Sequence, residues 1–206
     1  EVDYLVDYGF DASSQKHSKV HGYGTKLMLG TAFAPIAESY SRFMNCPSVD
    51  DDEVNRVLIS LGGFGEQAIA RRILHEIYRL TPGAEVHIAG NPSKYAALQR
   101  ENQRQNLTIA QEAGLANQFA MSGAAIVGGG VTMYELVASG STGLVIHTAR
   151  NQALALSAAL ETGKVRGLQR VSSTAVREKV ATELEPQSRI SKFEWLKARS
   201  LVDHMG

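Results

Sequence analysis

The sequence predicts an α/β fold in which a parallel sheet is covered by helices on both faces. Short apolar runs alternate with segments of helical spacing from residue 57 onward. Strands that are apolar at every position are typical of parallel sheets, because such sheets are buried on both faces. Turns that contain glycine or proline separate the elements, so each strand is followed by a helix that returns the chain to the sheet. The 206 residues are sufficient for one such domain with additional segments.

Residues 53–206 contain the repeated strand–helix pattern, and we assign them to this domain. The first helix has Ile69, Ile73 and Ile77 on one face, and Thr81-Pro82-Gly83 ends it. Apolar runs predict five strands, at 57–60, 85–89, 107–110, 124–127 and 143–147. Further helices are predicted from residue 94 onward and at 115–121, 132–139, 151–161, 173–183 and 189–204.

Residues 1–52 have a different character. Residues 2–8 predict one strand from their β-branched and aromatic content, and a polar stretch at 11–19 follows without periodicity. Residues 47–53 are rich in acidic and turn-forming residues, which indicates a linker. Because a lone strand cannot bury a core, we interpret residues 1–52 as the end of an N-terminal domain followed by an interdomain linker.

Composition excludes several classes of function. Lysine and arginine together number 21, as do aspartate and glutamate, so no excess of positive charge favours nucleic acid or an anionic membrane. No apolar run is long enough to span a bilayer. The single cysteine, Cys46, cannot form an internal disulfide, which fits a cytoplasmic protein. No residues have the spacing of a metal site, and we expect no cofactor.

The most informative segment is the triple glycine Gly128-Gly129-Gly130, which lies between a predicted strand and a predicted helix. Glycines allow the backbone to approach an anion, and the N-terminus of a helix offers free N–H groups and partial positive charge. Thr132 could cap this helix or donate to a phosphate. Glu135 could bind a ribose or simply complement the helix dipole. The segment therefore predicts a nucleotide-linked ligand.

Two other strand ends carry related signals. Gly62-Gly63 follows the first strand of the domain, where it could cradle a diphosphate or a sugar or simply form a tight turn. Arg150, Asn151 and Gln152 follow the fifth strand; Asn151 could be a helix cap, and all three could contact a diphosphate or a sugar hydroxyl. Because the carboxyl ends of parallel strands lie at one edge of the sheet, we expect these residues to meet.

Aromatic and histidine side chains have competing interpretations. Phe119 and Tyr134 could stack on a nucleotide base, but core packing is the interpretation that we favour for each. His75 lies beside the apolar stripe of its helix, which predicts a surface position, and His87 lies inside a strand, which predicts a core or edge position. His147 ends the fifth strand and is the histidine nearest to the predicted site.

The three motifs, in this order and spacing, resemble the C-terminal, Rossmann-like nucleotide-binding domain of GT-B proteins. More narrowly, they are similar to the UDP-sugar hydrolase of the pseudaminic-acid pathway and to SpsG-type proteins of spore-coat polysaccharide synthesis. Residues 27–36 are similar to the segment that enters that domain in the family, and residues 201–206 are similar to its ending.

The resemblance implies a UDP-sugar bound between two Rossmann-like domains of a hydrolase or glycosyltransferase in surface polysaccharide synthesis. The general base of the hydrolase belongs to the N-terminal domain, so this chain alone is expected to be inactive. The alternative is a non-catalytic nucleotide-sugar-binding or interaction module of the same fold. The residues that the resemblance assigns to substrate binding are Gly62, Gly63, Phe119, Gly129, Gly130, Val131, Thr132, Glu135, Asn151 and Gln152.

Overall fold

The computed structural model describes most of the chain between residues 2 and 168. The described residues are 2–19, 24–40, 56–63, 67–103, 105–111, 114–141, 143–146, 148–149, 151–161 and 165–168. The predicted helices at 173–183 and 189–204, the predicted linker at 47–53, Cys46, His147 and Arg150 lie outside the described residues.

Eight strands are present among the described residues, in two sheets. Six of them, β3 to β8, form one sheet in which every strand is parallel to its neighbours. The strands are β1 (Tyr4–Asp7), β2 (Lys26–Leu29), β3 (Arg56–Ser60), β4 (Glu85–Ala89), β5 (Leu107–Ala110), β6 (Ala124–Gly128), β7 (Gly143–Ile146) and β8 (Arg166–Leu168).

Helices connect the strands of the larger sheet, as the apolar periodicity predicts. Ile73 and Ile77 of the first predicted stripe are fully buried. The helices between the strands of the larger sheet are α2 (Gln67–Leu80), α3 (Ala96–Glu101), α4 (Leu115–Ala120), α5 (Val131–Ser139) and α6 (Gln152–Glu161). A short helix, α1 (Ser14–His17), lies between β1 and β2.

The sixth strand of the larger sheet, β8, differs from the five strands that the sequence predicts. It pairs with β7 through Leu144↔Arg166 and Ile146↔Leu168. A strand of three residues that contains an arginine and a glycine has no apolar run, so its sequence carries no strand signal. It forms a strand because it pairs with β7 at the edge of the sheet.

The strand order is β5-β4-β3-β6-β7-β8. Along the chain, β4 and β5 follow one another on one side of β3. The chain then returns to place β6 on the other side of β3, and β7 and β8 extend the sheet in that direction. The point between β3 and β6 where the direction reverses leaves a crevice at the carboxyl ends of these two strands. This crevice lies directly beside two of the glycine segments that the sequence singles out.

Each face of the larger sheet has its own hydrophobic core. One core joins Ile59 and Ile88 of the sheet to Ile73 of α2 and Leu98 of α3. The other joins the opposite face to α4, α5 and α6, with members Leu58, Phe119, Met133, Val145 and Leu156. The predicted parallel sheet with helices on both faces is therefore confirmed.

The strand predicted from residues 2–8 is not alone. Its central part, β1, pairs in parallel with β2, from Tyr4↔Lys26 to Asp7↔Leu29. The segments that follow these strands pack on the core beneath α5, where Ala34 and Tyr40 are buried and Tyr8 and Phe10 are partly buried. Neither the parallel partner nor this packing has a local sequence signal, because both depend on contacts between distant parts of the chain.

Candidate functional site

A cleft of about 360 Å³ lies at the carboxyl edge of the larger sheet, at the crevice between β3 and β6. The ends of β3, β6 and β7 all contribute to it, so the structure brings the three predicted segments together. The residues that line the cleft are Leu61, Gly62, Gly63, Gly128, Gly130, Val131, Thr132, Glu135, Thr148 and Gln152.

Gly62 forms one wall of the cleft in a left-handed conformation. Its φ is +71°, and no atom lies within 4 Å of the position that a Cβ would take. The glycine is therefore required by the turn rather than by crowding, since other residues rarely adopt this φ. The turn leaves the backbone of Gly62 and Gly63 exposed to the cleft without side chains in front of it.

Gly128 must be glycine because of crowding and not because of its backbone conformation. A Cβ at this position would lie 2.9 Å from the carbonyl oxygen of Leu61. The end of β6 therefore touches the backbone that follows β3, and only a residue without a side chain permits this approach. The two glycine segments form one continuous backbone surface at the bottom of the cleft.

Helix α5 begins at the cleft with its first amides unpaired within the helix. Gly130 is the N-cap residue, and no side chain caps the helix there. Thr132 is the second residue of α5, so it lies inside the helix and is not its N-cap. Because the first turn of a helix has no internal acceptors for its N–H groups, those of Val131 and Thr132 are available at the cleft.

Gly129 has a different role from the one that the resemblance implies. It is buried, and its N–H donates to the carbonyl of Ile146 at 2.9 Å. This amide is part of the connection between β6 and β7, so it is not available to a diphosphate. The expectation that the Gly129 amide meets the diphosphate is corrected by this hydrogen bond.

Gln152 lines the cleft and is held in place from one side. Its Oε1 accepts hydrogen bonds from the backbone N–H of Thr148 at 2.7 Å and from the Thr148 hydroxyl at 3.2 Å. Its Nε2 lies 3.6 Å from the position of a Cβ on Gly130, so the amide donors face the triple-glycine segment. Asn151, by contrast, is exposed and is not among the lining residues.

Glu135 lies one turn into α5, and its side chain reaches the cleft. The Tyr40 hydroxyl is its neighbour: burial first, and then the charge and hydrogen bond of Glu135, raise the pKa of Tyr40 well above its usual range. Tyr40 therefore keeps its proton beside this carboxylate. Sequence reasoning missed Tyr40, because it lies outside every motif.

The rings of Phe119 and Tyr134 belong to the core. Phe119 is only 1% exposed and lies 6.2 Å from the Tyr40 ring, centre to centre. Tyr134 contacts Tyr8 edge-on at 5.3 Å and stacks on Phe10 at 5.0 Å. Neither ring lines the cleft, so the structure places both in the core and offers neither as a stacking surface for a base.

The chain is similar in fold to MurG of Acinetobacter baumannii. The two structures align with a TM-score of 0.66 at 15% sequence identity. The alignment covers 97% of this chain and 62% of the MurG chain, so this chain spans less than two thirds of the length of that protein. No family model matches the sequence, and no curated protein is similar enough to match it.

At this level of identity the similarity to MurG shows the fold, which is the Rossmann-like α/β architecture expected from the GT-B resemblance. Further conclusions about this chain therefore depend on its own side chains. None of the helices in the described part of the chain is both long enough and apolar enough to cross a membrane. The described residues contain no group of three or more His, Cys, Asp or Glu side chains placed to hold a metal ion.

A second cavity of about 260 Å³ adjoins the cleft on the other side of the Gly62-Gly63 turn. It lies at the ends of β4 and β5, two strands that the sequence analysis did not connect with the site. Its lining residues are Gly62, Gly63, Gly90, Asn91, Lys94, Tyr95 and Gln111.

Two predicted histidine positions are described by the structure, and both lie away from the cleft. The side chain of His75 is 69% exposed, which confirms its surface position. His87 is buried, and its Nδ1 lies 3.2 Å from Nη2 of Arg56. Burial, with a further contribution from Arg56, lowers the pKa of His87. Its neighbours make it a structural residue in the middle of β4.

His17 forms a pair that the sequence analysis did not identify. Its Nε2 lies 2.7 Å from Oδ2 of Asp7, at the end of β1. Burial raises the pKa of Asp7, but hydrogen bonds from the Gly9 N–H and from His17, together with the charge of Lys16, outweigh it and lower the pKa overall. The pair ties α1 to the end of β1.

Proposed function

We propose that this chain is the nucleotide-sugar-binding domain of an enzyme that transfers or hydrolyses a sugar linked to a nucleoside diphosphate. UDP is the nucleotide that the sequence resemblance favours, and synthesis of a surface polysaccharide is the proposed setting. The observation that carries the proposal is the cleft at the switch point. There, free helix amides, a bare glycine backbone and a positioned carboxylate face the same space.

The diphosphate fits against the start of α5. The N–H groups of Gly130, Val131 and Thr132 are oriented toward the cleft at the positive end of the helix dipole. The exposed backbone of Gly62 and Gly63 forms the opposite wall, so phosphate oxygens can approach both walls without meeting a side chain. This arrangement suits an anion in an extended, backbone-lined groove.

The ribose fits beside Glu135. A carboxylate can accept hydrogen bonds from two neighbouring hydroxyls at once, which matches the 2′ and 3′ hydroxyls of a ribose. The protonated Tyr40 hydroxyl lies near this carboxylate on the protein side. Gln152 lies across the cleft, where its Nε2 can donate to a sugar hydroxyl or to a phosphate oxygen.

The proposed reaction is a substitution at the anomeric carbon. The oxygen of water or of an acceptor hydroxyl forms the new bond, and the bond from the anomeric carbon to the diphosphate oxygen breaks with its electron pair on that oxygen. The nucleophile loses its proton to a general base. The amides at the start of α5 stabilise the negative charge that develops on the leaving diphosphate.

The general base is proposed to come from a second domain. Supporting this, β1 and β2 form a sheet that has two strands within the described part of the chain, and a sheet of this size is marginal in isolation. The side chains of Val2, Tyr4 and Val6 are each more than half exposed on one face of it. Such a face is suited to cover by further strands or helices of an N-terminal domain.

A non-catalytic nucleotide-sugar-binding module is the second candidate. It is favoured by the described lining of the cleft, in which Glu135 is the one titratable side chain and lies near Tyr40. A binding module would hold the same ligand without a base. The two candidates differ in turnover by the full-length protein and not in binding.

Calorimetry with UDP, GDP, CMP and uridine tests the proposal. We expect the chain to bind UDP more tightly than uridine, because the diphosphate contacts the amides of α5, and more tightly than GDP or CMP. We expect no UDP release when the isolated chain is incubated with UDP-sugars. Failure of all four compounds to bind would contradict the proposed function, and release of UDP by the isolated chain would contradict the need for a second domain.

A further inference from the structure

The described lining of the cleft contains no positively charged side chain. Its ten residues include one carboxylate, Glu135, and otherwise only glycine, apolar and neutral polar residues. A nucleoside diphosphate carries at least two negative charges, and backbone amides supply only partial positive charge. No metal-binding group of acidic and histidine side chains is present among the described residues. Within the described part of the chain, a counter-charge for the diphosphate therefore comes from the rim of the cleft.

Lys94 is the cation at this rim. It lines the second cavity, and its Nζ donates to the carbonyl oxygen of Gly63 at 3.0 Å. Gly63 lines both the cleft and the second cavity. The ammonium group therefore stands at the turn that separates the two spaces, on the wall against which the diphosphate is proposed to lie.

Among the described residues, no acidic side chain neutralises the ammonium of Lys94. Its contacts are the neutral Gly63 carbonyl and the ring of Tyr95, whose centre is 5.7 Å away. No carboxylate in the described part of the chain forms an ion pair with it. By contrast, the exposed Lys16 and Arg71 pair with Asp11 and Glu101. Because Lys94 is exposed and forms no ion pair with a described residue, its ammonium can leave the Gly63 carbonyl for a phosphate oxygen with little loss of free energy.

The backbone that carries Lys94 is well anchored. The Lys94 N–H donates to the carbonyl of Asn91, and the Asn91 side chain accepts from the Ser93 N–H. Next to Lys94, the Tyr95 ring is buried against Gly90, where a Cβ would lie only 2.7 Å from it. The attachment point of the lysine is thus held still while its exposed side chain remains free to reorient.

We propose that Lys94 binds the diphosphate of the nucleotide and supplies the positive charge that the cleft lacks. On ligand binding, its ammonium turns from the Gly63 carbonyl to a phosphate oxygen and stabilises the diphosphate as a leaving group. Lys94 is thereby assigned to substrate binding from a strand end that none of the sequence motifs includes. The assignment rests on the proposed nucleotide-sugar function.

The test compares Lys94→Gln, Lys94→Arg and Lys26→Gln by calorimetry with UDP and with uridine. Lys26 is an exposed lysine on β2, so its substitution is a matched control for the loss of one positive charge. We expect Lys94→Gln to weaken UDP binding about 10-fold, the size of one hydrogen bond to a charged group, and to leave uridine binding unchanged. Lys94→Arg retains most of the UDP affinity, and Lys26→Gln retains all of it.

Salt dependence gives a second readout, because an ionic contact weakens as salt is added. The affinity of the wild type for UDP should fall more steeply with salt than that of Lys94→Gln. The inference is overturned if Lys94→Gln binds UDP like the wild type, or if it weakens UDP and uridine equally. If the wild type binds neither compound, the proposed function fails and this inference fails with it.

Discussion

The Tyr40 hydroxyl lies near the Glu135 carboxylate at the edge of the cleft, and the charge of Glu135 adds to burial in raising the pKa of Tyr40. Tyr40 is only 4% exposed, and its ring packs near Phe119 in the core beneath α5. The carboxylate thus has, on its protein side, a hydroxyl that belongs to the first segment of the chain. This contact links that segment to the proposed ribose site.

Replacing Tyr40 with Phe tests this link. The variant keeps the ring in the core and removes the donor, so Glu135 gains orientations and UDP binding should weaken a few-fold. Calorimetry measures the effect. If Tyr40 acts through Glu135, the double variant Tyr40→Phe/Glu135→Ala should bind UDP like Glu135→Ala alone. Additive losses of binding free energy would contradict that route.

Replacing Glu135 with Ala tests the ribose contact itself. The change removes a charged hydrogen-bond acceptor, which should cost about 1.5–3 kcal/mol of UDP binding. The wild type should prefer UDP to 2′-deoxy-UDP, and Glu135→Ala should lose this preference. Equal UDP affinity of the wild type and Glu135→Ala would remove Glu135 from the site.

Replacing Gly128 with Ala tests the close approach of the two glycine segments. The new Cβ would meet the Leu61 carbonyl oxygen at 2.9 Å, and backbone cannot move aside as a side chain can. We expect the free energy of unfolding to fall by about 1–3 kcal/mol, as measured in urea. Gly63→Ala is the control, since no atom lies within 4 Å of its Cβ position. A loss of similar size in both variants would contradict the steric argument.

His87 should make the stability of the protein depend on pH. Burial and the charge of Arg56 lower its pKa in the folded state. The unfolded chain, with a histidine pKa of about 6.5, therefore binds protons first as pH falls. The contribution of His87 to stability is complete above about pH 6.5 and decreases below it.

The measurement for His87 is urea unfolding of the wild type and His87→Gln on both sides of this pH. Gln keeps an acceptor for Arg56 and does not titrate, so the variant should lose less stability on acidification. His75→Gln is the control, because the His75 side chain is 69% exposed. An unchanged pH dependence in His87→Gln would show that another group is responsible.

Much of the site could be predicted because its residues follow strand ends. Gly62, Gly63 and Gln152 are far apart in sequence, but parallel strands place their carboxyl ends at one edge, so the cleft brings them together. Gly129 and Gly130 could not be told apart by sequence. The Gly129 N–H donates to β7, whereas Gly130 lines the cleft. This difference depends on how far the pairing of β6 with β7 extends.

The residues that sequence reasoning missed lie outside the three motifs that it singled out. Tyr40 lies in a loop near Glu135, and Lys94 lies between β4 and α3 with its Nζ on the Gly63 carbonyl, so their proposed roles depend on contacts between distant segments. Phe119 has an aromatic side chain that suits either a base or a core. Its burial places the ring in the core, which is the interpretation that its sequence context favours.

By itself, the sequence determined the α/β class, the succession of strands β3 to β7 along the chain with the helices between them, and the edge at which the glycines meet. Apolar periodicity and turn residues act locally, so a linear pattern is enough to specify them. Only the tertiary structure decided the pairing of β1 with β2, the addition of β8, and which side chains surround Glu135. Those features depend on contacts between residues far apart in the chain, and no local sequence pattern specifies such contacts.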